Sequence, residues 1–98
     1  MKHYRVKLFP GANSAADKAV LAAATANAMN EPFSLENIAT IGKAENCPDT
    51  TIELFSENRL IIDHKPEGAE HYQQGAIIEE VDIVPLKETV NDLQDCFN

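Results

Sequence analysis

Glycine is scarce in this chain, four residues in 98, and none belongs to a P-loop or a dinucleotide-binding fingerprint. Cysteine is scarcer still. Cys47 and Cys96 are too few for a disulfide-dense scaffold, and two reduced thiols are the expectation. Long apolar runs are missing: the longest, Ala19 to Ala24, has six residues, where a membrane span needs roughly 20. Lys2, Arg5 and Lys7 are followed by no apolar stretch, so no cleaved secretory signal is expected and the cytoplasm is the expected compartment. Basic residues are few, eight against sixteen acids, for a formal charge of −8 and a pI near 4.7. That balance disfavours direct binding to nucleic acid or to anionic membrane, both of which require a basic field.

What is present is ordinary for a folded domain. Hydrophobic residues make up 44% and charged residues 24%, and the length suits a single domain, residues 1–98. Charge is distributed unevenly: residues 1–30 carry a formal +3 and residues 31–98 a formal −11. The acidic part is not tail-like, because its carboxylates alternate with Ile, Leu and Val and so decorate a folded surface.

Residues 3–9 alternate, with Tyr4, Val6 and Leu8 on one side and His3, Arg5 and Lys7 on the other, as in a half-buried strand with a cationic outer face. Pro10-Gly11 ends it. Ser14 to Asp17 reads as a capping box opening a helix to about Met29, in which eight of the fifteen residues from Ala15 are alanine. Residues 33–44 are ambiguous: Ser34 to Asn37 suits the cap of a short helical turn, and Ile38 to Ile41 suits a short strand. Residues 51–56 and 59–64 read as strands joined at Glu57-Asn58, with Asn58 suited to a positive φ. Residues 65–75 read as a loop and 76–84 as a longer strand. After Pro85, Leu86, Val90, Leu93 and Phe97 form one stripe of an amphipathic helix. The order β-α-(β)-β-β-β-α predicts an α+β fold, a mainly antiparallel sheet with two helices packed on one face.

Catalytic and metal signatures are weak. Cys47 and Cys96 have no base or oxyanion element beside them in sequence, and no triad is marked. His64 and His71 with Asp63, Glu67 and Glu70 match no zinc spacing, so both histidines are expected at the surface and neither metal nor cofactor is expected. The cations of the first strand are expected to pair with carboxylates of a neighbouring strand.

The acids are the dominant feature: eleven carboxylates lie between Glu53 and Asp95. On a rigid surface they would present a negative field resembling that of duplex DNA, with about one charge per 1.7 Å. The expected function is therefore a non-catalytic inhibitor that occupies the basic nucleic-acid-binding surface of a larger partner protein. Glu53, Glu57, Glu79, Glu80 and Asp82 on the sheet and Glu88, Asp92 and Asp95 on the last helix are the expected partner-binding residues. This compact, acidic, motif-free profile is that of small inhibitors of restriction and CRISPR systems, an analogy of class carried by no motif. One alternative is a homodimeric structural or accessory subunit whose acids confer solubility; another is a small metal- or thiol-dependent enzyme.

Overall fold

The computed structural model describes residues 2–30 and 33–82. In chain order the elements are β1 (Lys2–Leu8), α1 (Ser14–Met29), α2 (Leu35–Lys43), β2 (Thr50–Ser56), β3 (Arg59–His64) and β4 (Gln73–Asp82). The strands form one antiparallel sheet in the order β1-β4-β3-β2. Both helices pack on the same face of it, so the α+β class read from the sequence holds. The helix expected after Pro85, the strand end at Val84 and Cys96 lie outside the described residues.

The segment 33–44 resolves as a helix, not as a turn followed by a strand. Ser34 caps it by accepting the Asn37 N–H at 3.1 Å. Leu35, Ile38, Ala39 and Gly42 are buried at spacings of three, one and three, the stripe of one helical face. The strand expected over Ile38–Ile41 is therefore absent; those residues belong to a longer helical period. The α1 cap also shifts by one residue. Asn13 accepts the Ala16 N–H at 3.2 Å, while Ser14 is already helical. The Asn13 amide nitrogen donates to Thr50 Oγ1 at 2.8 Å, tying the start of α1 to the start of β2.

The alanines of α1 allow an unusually close seat on the sheet. Ala16, Ala19 and Ala23 are fully buried against a core whose largest members are Ile38, Leu60, Ile62 and Ile78. Two glycines make room for this approach. A Cβ on Gly75 would lie 3.0 Å from the Ile62 carbonyl and 3.4 Å from Ala16 Cβ. One on Gly42 would lie 3.3 Å from the Ala15 carbonyl. Gly75 is also the extra residue of β4 where Ile62 pairs with Ala76 and Asp63 with Gln74, a bulge of the kind glycine favours.

The inward positions of β3 are Leu60, Ile62 and His64. His64 is thus buried, contrary to the surface position expected of it, because strand alternation places it under the helical layer. The β2–β3 turn also departs from expectation. Positive φ among the described non-glycine residues occurs at Asn30, Asn46 and Asp49 and not at Asn58. A register shift between Leu54 and Ser56 closes the hairpin instead. Asn58 is fixed by its neighbours: its side-chain oxygen accepts the Ser56 hydroxyl at 2.8 Å and its carbonyl accepts the Glu80 N–H at 2.7 Å.

The β1 edge of the sheet is capped by a side chain. Asn27 of α1 accepts the Tyr4 N–H through Oδ1 and donates Nδ2 to the Tyr4 carbonyl, both at 2.8 Å. A carboxamide thus takes the place of a further strand and blunts an edge open to unwanted pairing. Replacing Asn27 by Ala leaves both Tyr4 groups without this partner. The variant is expected to keep its circular dichroism spectrum and to lose about 1–3 kcal/mol in urea unfolding.

Candidate functional site

Strand alternation divides the charged residues between two sides of the sheet. Val6, Ile78 and Leu60 share the side that the helices cover, and Arg5, Glu79 and Arg59 share the other. No described element packs on this second side. Across it, the register sets two rows. One runs Arg5–Glu79–Arg59–Ser56, and the next runs Lys7–Ile77–Ile61–Glu53.

Glu79 lies at the centre of the first row. Its Oε2 accepts Arg59 Nη2 at 2.8 Å and its Oε1 accepts Arg5 Nη2. Only 14% of its side chain is exposed, against 73% for Arg5 and 42% for Arg59. The hydrogen bond from Arg59, then that from Arg5, holds its carboxyl below the usual carboxylate range, against an opposing push from burial. The expected pairing of first-strand cations with a neighbouring strand is thus realised at Arg5. The Arg59 partnership was missed, because identifying it requires the β3–β4 register. Lys7 reaches the Phe9 ring, 5.0 Å from its centroid. In the second row Ile77 and Ile61 are half-buried, and Lys7 and Glu53 are exposed.

The sequence-predicted acids gather in part. Glu57, Glu79, Glu80 and Asp82 border one hollow at the β2–β3 turn and the end of β4. Glu79 and Glu80 are adjacent in β4 and so project to opposite sides of the sheet. Glu79 is neutralised by its two arginines, whereas Glu57 and Asp82 are exposed and have no ion-pair partner among the described side chains. Glu53 stands apart on β2, opposite Ile61. Glu88, Asp92 and Asp95 lie outside the described residues.

Other candidate chemistry does not converge. Among the described residues no three His, Cys, Asp or Glu side chains are placed to hold a metal ion. His64 points into the core, while His71 is exposed on the loop before β4. Cys47 is a free, half-buried thiol 3.2 Å from the Ser14 hydroxyl. No described helix is long and apolar enough to cross a membrane. An apolar groove runs between α1 and α2, bordered by Leu21, Met29, Phe33 and Ile41. The sequence reading overlooked it, because it needs the pairing of two helices to become a surface.

No known family, curated protein or solved structure matches the chain.

The Glu79 bridge makes stability depend on pH. A carboxyl whose folded pKa is lowered contributes stability that is complete above its unfolded value and is lost as pH falls through the folded value. Glu79→Gln is therefore expected to be less stable than the parent in urea at pH 7, with the difference closing as the pH drops through and below the usual carboxylate range. A difference that stays constant down to pH 2–3, where carboxylates are protonated, would contradict this assignment.

Proposed function

We propose that this chain is a non-catalytic interaction protein of the cytoplasm that inhibits a larger protein by occupying its basic nucleic-acid-binding surface. The observation that supports this reading is the segregation of charge. Among the described residues, the side of the sheet that the helices leave bare carries three cations, Arg5, Lys7 and Arg59, and three carboxylates, Glu53, Asp63 and Glu79. It is formally neutral, so the whole net charge of −8 belongs to the rest of the chain.

Glu57 and Asp82 are exposed carboxylates at the turn end of the sheet with no ion-pair partner among the described side chains, and the bond from Glu80 to Asn58 holds that end together. Held on strand ends and a closed hairpin, these groups lose little freedom when they meet arginines or lysines of a partner. The surrounding negative field accelerates encounter with a basic surface and makes it sensitive to salt.

Competition against a fluorescent DNA duplex, measured by anisotropy with a panel of purified basic DNA- and RNA-binding proteins, tests the reading. The chain is expected to displace the duplex from at least one of them, with an effect that fades between about 0.1 and 0.5 M salt. Glu57→Lys combined with Asp82→Lys should weaken displacement about tenfold or more. Failure to compete with any of these proteins, or undiminished competition by the double variant, would refute it.

A further inference from the structure

We propose that the side of the sheet on which no described element packs is a self-complementary interface on which a second copy of this chain docks, sheet against sheet. The proposal does not involve Glu57 or Asp82 and stands independently of the inhibitor reading.

The starting point is the order of side chains across the four strands. In the row Lys7–Ile77–Ile61–Glu53, a cation on one edge strand and an anion on the other flank two half-buried isoleucines. In the neighbouring row, Glu79 on β4 sits beside Arg59 on β3. A two-fold axis parallel to the strands, passing between β4 and β3, lays β1 of one copy over β2 of the other and β4 over β3. Each row then meets its own copy reversed. Lys7 faces the other copy's Glu53, Ile77 faces Ile61, and Glu79 faces Arg59.

All three contacts occur twice by symmetry, as an isologous interface requires. The alignment of strands is that of sheets packed face to face about 10 Å apart. Other axes fare worse. An axis perpendicular to the sheet cannot bring the two bare sides together, and one in the interface running across the strands stacks β1 on β1, bringing cationic edges together.

The charge balance of this side favours self-association over other occupants. In a chain of net charge −8, two copies repel each other over most of their surfaces. The side with Arg5, Lys7, Arg59, Glu53, Asp63 and Glu79 is formally neutral and is exempt from that repulsion. A strongly basic partner would gain nothing from it, and an apolar partner would leave its charges unpaired.

Size sets the strength. Four strands about 4.8 Å apart and paired over six to seven residues span about 20 Å by 20 Å, or about 400 Å² per copy. The total of about 800 Å² is below the roughly 1,200–2,000 Å² of stable complexes, so the dimer is weak and forms at high concentration.

Sedimentation across a concentration series of the full chain, up to about 1 mM, provides the test, together with amide chemical shifts over the same range. The parent is expected to move from monomer to dimer, with shifts confined to the two rows that run from Arg5 to Ser56 and from Lys7 to Glu53. Lys7→Glu and Glu53→Lys each place like charges opposite one another twice, and each should weaken the dimer about tenfold or more. The swap of both, Lys7→Glu with Glu53→Lys, restores opposite charges and should return the affinity to within about threefold of the parent. Lys7 and Glu53 are exposed and bonded to no other charged group among the described residues, so the folds of these variants should be intact by circular dichroism. A chain monomeric throughout, shifts on the helices instead, single variants without effect, or a swap that fails to recover would each overturn the proposal.

Discussion

The structure depends on how closely one alanine-rich helix approaches β4. Ala16 stands 3.4 Å from where a Cβ on Gly75 would be, and the Ile62 carbonyl is nearer still at 3.0 Å. At that separation Ala16, Ala19 and Ala23 are fully buried in one core with Leu60, Ile62 and Ile78 of the sheet. Close packing of this sort gains dispersion contacts from backbone as well as from side chains. It also leaves little tolerance, since added volume in a packed core forces displacement of whole elements. Gly42 repeats the arrangement between the two helices, where the Ala15 carbonyl is 3.3 Å from the missing Cβ.

From that seat the remaining geometry follows. With the helices committed to one side, Leu60, Ile62, Ile78 and His64 turn inward, and the intervening residues are left on the other side. Asn27, carried on the same helix, reaches the Tyr4 backbone and closes the β1 edge. The bare side is consequently populated by whatever alternates with the core. Here that is a set of charges in balance, with Glu79 held between Arg5 and Arg59. The acids at the turn end are positioned by a different device, the Asn58 carbonyl that receives the Glu80 N–H. Two surfaces of different electrical character are thus built from one sheet, one neutral and one anionic.

Much of this fold is legible in the sequence. Alternation in residues 3–9 marked β1, the alanine run marked α1, and the two strands around Glu57-Asn58 fell where read. The segment 33–44 was not legible, because four residues of Ile38–Ile41 suit a strand as well as a helix, and the decision came from Leu35 and Gly42 on either side. His64 was misplaced for a related reason. Ile61 and Ile62 are both apolar, so the alternation does not show by itself whether the set that includes His64 faces the helices.

Local chemistry decided the character of the chain: its acidity, its short elements, its lack of phosphate-binding glycines, and an α+β class with helices on one side. Those properties follow from composition and from periods of two and of three to four residues, which act within a few neighbours. Register decided the rest. That Glu79 meets two arginines while Glu80 turns to the opposite side, and that Lys7 shares a row with Glu53, are consequences of pairing between strands distant in sequence. A carboxylate's charge is a property of its side chain, but its partner is chosen by the hydrogen-bonded alignment of the whole sheet.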